Sequence, residues 1–436
     1  MYLEKAEELF DYTVDIRRKM HENPELAGKE DDTVKLVCQK LSQMGVSYDI
    51  VNKGGIIGYI KGKKKLDNPK TILLRADLDA LPFDEPDNNL SKPRIVKSKN
   101  EGVMHACGHD GHTSILLTAA RILNESKDDF AGNIILCFER GEESGVGYKY
   151  LLAYLDANDI NVDACYAIHV SPDYDAGVMA IGAGGINAGA VAFDITIKGN
   201  SGHGSRPYEA NNPLDCFVDI YNGLKSLRMN NFSPFDPITY SIGVVQMGSK
   251  YNQIPENLQF RGSMRFFDRE NVGYKFYRDF KALIINKARA NSCKVRFNTY
   301  TKPRFPIIND LNLSALAFTS MTDELGEDFI KEASPSMGSD TFATYSHQWP
   351  GLYLMLGVSN PEQGSGAALH SPKFDLDERA LSNGAAATAR FVVDFLNSDV
   401  KLTDRPFKDR LRDFFREEDR TVDEIEEIYA TIKRKL

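Results

Sequence analysis

The 436-residue chain contains no apolar run approaching the roughly 18 residues that cross a bilayer, so no membrane-spanning helix is expected. It has no block of basic residues and no basic patch interleaved with aromatics, and its formal net charge is −9; nucleic acid is not an expected partner. The N-terminus, MYLEKAEELFDYTVDIRRKM, carries acids early and lacks the apolar core of a secretory signal, so it reads as an amphipathic helix. Cysteines are few. Cys38, Cys107, Cys137, Cys165, Cys216 and Cys293 are scattered, mostly inside apolar stretches, and form no disulfide framework, which fits a reducing cytoplasm. Internal repeats and low-complexity segments are absent. What remains is an ordinary globular balance, 42% hydrophobic and 26% charged, on a chain long enough for about two domains or more.

The first part alternates helix and strand patterns. Val34, Val37, Leu41 and Met44 step by three and four before Gly45, which describes a helix. Ile56–Ile60, Thr71–Leu74, Asn133–Phe138 and Ala164–Val170 are short apolar runs suited to buried strands, and Ile115, Leu116, Ala119 and Leu123 mark another helix. This alternation predicts an α/β catalytic domain, a mixed sheet covered by helices on both faces. From about Gly185 a strand–helix–strand–strand–helix–strand order follows, the order of a ferredoxin-like α+β domain. The expected division is 1–184 and 303–398 for the catalytic domain, 185–302 for the insertion, and 399–436 for a charged helical extension. In that extension Thr421 and Glu424 suit a capping box, and Ile425, Ile428, Tyr429 and Ile432 form an apolar stripe. The stripe is too short for a helix stable alone, so the extension should pack on something and stabilise the protein without a catalytic role.

Only eight histidines are present, yet three fall in His105-Ala106-Cys107-Gly108-His109-Asp110-Gly111-His112. Borderline-soft cations such as zinc bind thiolate, imidazole and carboxylate together at short spacings. Cys107 and His109 are the first candidate ligands; one loop rarely supplies four, so His105 and His112 are expected to support rather than bind. Glu142-Glu143 follows a buried strand and precedes a Gly-rich turn. Neighbouring side chains at a strand end diverge, so one carboxylate can bind metal while the other moves a proton. His169 closes a strand, and His370 follows a Gly/Ser-rich loop. One Cys, three His and one Glu are too few for two closed tetrahedral sites unless groups bridge, as a shared water between two metals would. His203 lies in a Gly-flanked loop of the insertion. Asn252 and Arg265 also belong there, and an amide with a guanidinium can hold a carboxylate. Asp77, Asp79, Glu142, Glu143 and His169 lie at or just past strand ends, where α/β sheets collect ligands.

Leu74-Arg75-Ala76-Asp77-Leu78-Asp79-Ala80-Leu81-Pro82, Met104–Thr113, Glu142-Glu143 and Leu369-His370-Ser371-Pro372 together resemble the M20 metallopeptidase family, in its amidohydrolase branch of aminoacylases, hippurate hydrolases and auxin-conjugate hydrolases. Arg17-Arg18-x-x-His21-x-x-Pro24-Glu25, Asn252-Gln253-Ile254-Pro255 and Met337-Gly338-Ser339 match further motifs of the branch. The resemblance implies Cys107, His109, Glu143, His169 and His370 as ligands of two divalent ions, zinc first, with manganese, cobalt or nickel as alternatives. It implies Glu142 as general base, Asp79 as an orienting residue, His203 as oxyanion stabiliser, in one arrangement from a partner subunit, and Asn252 and Arg265 as holders of a substrate carboxylate. The implied substrate is a small amide with a free carboxylate, and the implied assembly a homodimer through the insertion. A dipeptidase or aminopeptidase on the same scaffold and a non-catalytic metal-binding protein are the alternatives. Three departures stand out: the charged tail after Asn397 extends beyond the usual family end, and two motifs differ. The branch usually has Gln-Pro-Ala before the paired glutamates, where this chain has Glu139-Arg140-Gly141, and a cation there would alter substrate preference. It usually reads Gly-Ser-Glu-Asp-Phe, where this chain has Gly338-Ser339-Asp340-Thr341-Phe342.

Overall fold

The computed structural model describes residues 1–403, 411–418 and 420–433. The larger of two main sheets runs Ser47–Val51, Gly55–Lys61, Asn133–Glu139, Thr71–Asp77, Ala164–Asp175, Gly351–Ser359, Ile307–Asn309 and Gly184–Asn187, with Met179–Ile181 and Ile330–Glu332 attached beside it. Its middle strands, from Asn133–Glu139 to Gly351–Ser359, pair in parallel, while the outer pairings at Gly55–Lys61 and Gly184–Asn187 are antiparallel: the sheet is mixed, as expected. Parallel strands buried on both faces need unbroken apolar runs, and Ile72-Leu73-Leu74 and Ile134-Ile135-Leu136 supply them. Alternate side chains serve opposite faces. Ile72 and Leu74 join a core with His109–Glu125, Leu311–Leu325 and Ala380–Asn397, whereas Leu73 joins a second core with Tyr148–Ala157 and Phe342–Gln348.

The smaller sheet is antiparallel throughout, in the order Ile238–Met247, Asn257–Phe266, Gly189–Lys198, Lys294–Tyr300. Val191, Phe193, Ile195 and Ile197 point to one face and meet Cys216, Ile220 and Leu224 of helix Pro213–Asn231 and Phe276, Phe280 and Ile284 of helix Tyr274–Ala290. The other face is open, which is why Asp194, Thr196 and Lys198 alternate with the apolar set. The Gly-rich stretch expected to open the insertion at 185 stays with the larger sheet, pairing with Ile307–Asn309, and the chain changes sheet at Ala188.

Beyond 403, helices Leu411–Glu417 and Val422–Lys433 pack on the second core. Thr421 and Glu424 cap each other: Thr421 N–H donates to Glu424 Oε2 at 2.7 Å and Glu424 N–H to Thr421 Oγ1 at 3.2 Å. Ile425, Ile428 and Tyr429 are buried, and Tyr429 O–H donates to Asp156 at 2.5 Å. Residues 404–410, 419 and 434–436 of the expected extension lie outside the described residues. Among the described residues no helix is long and apolar enough to cross a membrane.

Candidate metal centre

Gly108 turns the chain between the two candidate ligands of the histidine run. Its φ of +85° is left-handed, and a Cβ there would lie 2.3 Å from Val170 Cγ2, so the loop packs directly on the strand that carries His169. Helix His109–Glu125 begins inside the run, which puts His109 and His112 on one face of its first turn. The signature near the N-terminus braces that turn from behind. Arg17 Nε lies 2.9 Å from Asp110 Oδ2, and His21 bridges Asp110 and Glu85 at 2.8 Å each, all buried.

Cys107 Sγ is 3.5 Å from His169 Nε2. The other nitrogen of His169 lies 2.7 Å from the Val170 carbonyl and donates to it, which leaves Nε2 as the lone-pair side facing the thiol. Burial, then the neighbouring His112, holds His169 down at about 4, so its ring is neutral, the form that binds a cation. His109 Nδ1 sits 3.2 Å from Asp79 Oδ1, while its Nε2 is buried without a hydrogen-bond partner, 3.9 Å from Glu143 Oε1. Glu143 Oε1 is equally unpartnered, although His370 Nε2 approaches to 3.1 Å outside hydrogen-bond alignment. The Asp79 carboxylate also accepts the backbone N–H groups of Glu142 and Glu143, at 3.0 Å each, and so ties three candidate residues to one anchor.

Ligand atoms of Cys107, His109 and His169, of Cys107, Glu143 and His370, and of His109, Glu142 and Glu143 fall within 4.8 Å of one another in each group. Two orphaned buried atoms facing each other among thiol, imidazole and carboxylate fit divalent cations. Burial pushes the Cys107 thiol far up in the bare protein, and a bound cation is what would reverse that. His112, whose ligand atom lies within 4.8 Å of those of Asp77 and His109, has both nitrogens engaged: Nδ1 is 2.6 Å from Asp77 Oδ1 and Nε2 accepts the Val170 N–H at 2.9 Å. His105 is buried with both nitrogens unpartnered, and burial holds it down at about 4.

Cys107, Glu142, Glu143, His169 and His370 line a cleft of about 1030 Å³ whose wall also includes Arg265, Arg304 and Tyr148. His203 and Asn252 do not line it. They sit together in the smaller domain, both exposed, with His203 paired to Gln253 and Gly204 N–H donating to the Asn252 carbonyl at 2.9 Å. Arg140, expected to add a cation beside the metal site, points elsewhere: its guanidinium lies 2.9 Å from both Glu30 and Asp31, because the Gly141 turn swings it toward helix Asp31–Gln43.

Sequence reasoning passed over a buried network beneath the glutamates. Arg75 donates to Glu139 at 2.8 Å, Asp77 at 2.7 Å and Thr341 Oγ1 at 2.7 Å, and lies 3.3 Å from Asp340. Thr341 Oγ1 in turn donates to Glu139 at 2.8 Å, and its backbone N–H donates to Glu142 Oε1 at 2.9 Å. Burial, then the charges of Asp340 and Glu143, raises Glu142 well above the usual carboxyl range despite Arg75. The available signal was a charged residue inside the apolar run Ile72–Ala76, since a buried guanidinium requires carboxylates.

Residues 73–394 match the family described as peptidase family M20/M25/M40. The chain is 35% identical over 401 residues to thermostable carboxypeptidase 2 of Saccharolobus solfataricus, covering 90% of this chain and 97% of the relative. It is 34% identical to IAA-amino acid hydrolase ILR1-like 2 of Arabidopsis thaliana, covering 90% and 87%. The YXEP protein of Bacillus subtilis, described as a dinuclear metal binding peptidase from the M20 family, superposes with a TM-score of 0.74 at 27% identity, covering 89% and 99%.

Proposed function

Since the chain belongs to peptidase family M20/M25/M40, we propose that this metal-dependent amidohydrolase cleaves the amide bond of N-acyl amino acids or related conjugates, with Glu142 as general base. The observation that carries the reading is the pairing of adjacent, unequal carboxylates at one end of a cleft that also presents a guanidinium. Glu143 faces His109 and His370 with an unpartnered oxygen, whereas Glu142 is held by Thr341 and raised in proton affinity. A carboxylate of that kind takes a proton from water and returns it to a leaving amine. Cys107, His109, Glu143, His169 and His370 would hold two divalent ions, which supply a polarised carbonyl and a water of lowered pKa. Zinc suits this donor set, and manganese, cobalt or nickel are alternatives. Arg265, half-buried in the cleft wall, would fork onto the substrate carboxylate.

His203 and Asn252 do not line this cleft, and we assign them to the cleft of a second copy. Supporting that, Ile238–Met247 is an edge strand with Val245 and Met247 exposed, next to the exposed Leu214, Val218 and Tyr221 of helix Pro213–Asn231. A dimer through this face would bring His203 to the neighbour's oxyanion. Six buried thiols, none in a disulfide, accord with a cytoplasmic setting.

Similarity to a protein named carboxypeptidase keeps peptides as the second reading. The test is apo protein reconstituted with each of the four metals and offered N-acetyl and N-benzoyl amino acids beside free-amine dipeptides. Release of amino acid from the acylated set is expected. Turnover confined to the dipeptides would overturn the assignment in favour of a peptidase.

A further inference from the structure

The family match ends at residue 394, yet the chain beyond it reaches the catalytic cleft. Glu418, directly after helix Leu411–Glu417, shares the cleft wall with Cys107, Glu143, Tyr148, Arg265 and Arg304. Its carboxylate is fixed on one side, accepting from Tyr148 O–H at 2.7 Å, with Arg420 Nε 3.6 Å away and Arg420 also donating to the same phenol at 3.0 Å. Its side chain is only 12% exposed. The surrounding extension is anchored to the wall. Phe414 stacks on Phe305 with centroids 5.6 Å apart, and Phe305 lies under the Arg269 guanidinium, which Glu417 meets at 3.4 Å. Arg304 flanks the loop of the paired glutamates, with Nη1 3.7 Å from where a Gly145 Cβ would stand, and its charge acts on both Glu418 and Arg265.

Beside Tyr148 the wall presents two cations, Arg265 and Arg304, and one anion, Glu418, whose partner Arg420 is not itself part of the lining. An anionic side chain in the wall repels a second substrate carboxylate entering beside the one that the arginines hold. We propose that the C-terminal extension is part of the substrate site and that Glu418 is a specificity-determining residue, restricting the cleft to amides with a single carboxylate. It would give the extension a role beyond the stabilising one expected of it. It rests on the amidohydrolase reading for the identity of the substrate.

The test compares N-acetyl-L-methionine, with one carboxylate, and N-acetyl-L-glutamate, with two, on metal-loaded wild type and Glu418→Gln. Glutamine keeps the size and can still bond Tyr148, whereas deleting the extension would strip the second core; Glu418→Ala serves if the amide variant melts early. The preference for the two-carboxylate compound should rise on the order of tenfold, through KM, since removing one charge near contact distance in a partly wet site is worth about that factor. Metal content and Tm should stay as in wild type. A ratio within about twofold of wild type in both variants overturns the proposal. Calorimetric binding of the same two compounds separates the two readings. A shifted binding preference without turnover by any protein fails the hydrolase reading and retains this one. Wild-type turnover with an unshifted preference does the reverse.

Discussion

Arg75 in the larger sheet and Arg261 in the smaller one both occupy the middle of a strand, and their surroundings differ in kind. Arg75 is 4% exposed and held by Glu139, Asp77 and Thr341, beside Asp340. Arg261 is exposed on an open face, its nearest cross-strand neighbour Asp194. One sheet spends buried charge at its carboxyl end and must satisfy all of it. The other keeps charge in water and offers an edge and a helix face. Chemistry that requires fixed distances belongs to the first kind of environment, and association with another surface to the second.

The sharpest way to break this contrast is to remove each arginine. Arg75→Leu leaves several buried carboxylates without their cation and should cost about 3–5 kcal/mol, read by urea denaturation. Arg261→Leu should change stability by about 0.5 kcal/mol or less. Equal losses would mean that the buried network is not what holds the sheet end. Next in size is catalysis. Glu142→Gln should lower kcat by at least about 10²-fold with metal retained, whereas Glu143→Gln should lose metal, measured by elemental analysis. Swapped phenotypes would reverse the two roles.

The network also leaves a pH signature. Burial, against the pull of Arg75, lifts Glu139 to about 6 from its usual 4.5, so the folded state binds this proton more tightly than the unfolded chain. Stability should therefore fall as pH rises from about 4.5 to 6, by about 2 kcal/mol from this group, and Glu139→Gln should flatten that slope. An unchanged slope in the variant would place the charge elsewhere. The smallest effect belongs to the open sheet. Val245→Lys should shift elution toward monomer with little change in Tm, and His203→Ala should lower kcat without altering metal content. A monomeric Val245→Lys protein of full activity would separate His203 from the site.

Much of the larger sheet was legible because each buried parallel strand needs its own apolar run, and Ile72–Leu74, Asn133–Phe138 and Ala164–Val170 carry one. Cys107, His109 and Glu142-Glu143 were legible because scarce metal-binding residue types cluster within a few positions. The Arg75 network was not. It depends on register, which sets Arg75 opposite Cys137 and Asp77 opposite Glu139, and on Asp340 and Thr341, which lie 265 and 266 residues beyond Arg75. Arg140 was misread for a related reason, since the backbone turn at Gly141, with φ +65°, decides where its side chain goes. Glu418 lay hidden in a run of charges, where residue type alone does not distinguish an acid that reaches the cleft.

The candidate ligands are divided by the smaller domain: Cys107, His109, Glu143 and His169 precede it, and His370 follows. Strand Ala164–Asp175, which carries His169, is flanked on one side by Thr71–Asp77 and on the other by Gly351–Ser359, made almost two hundred residues later. A chain emerging from synthesis therefore holds most of the donor atoms long before it holds the strand that walls them in or the last imidazole. The smaller sheet, with its own apolar core, can fold during that interval. Completion of the candidate centre is then a late event in the life of the molecule, and a chain truncated between residues 169 and 370 carries Cys107, His109, Glu143 and His169 and cannot complete it.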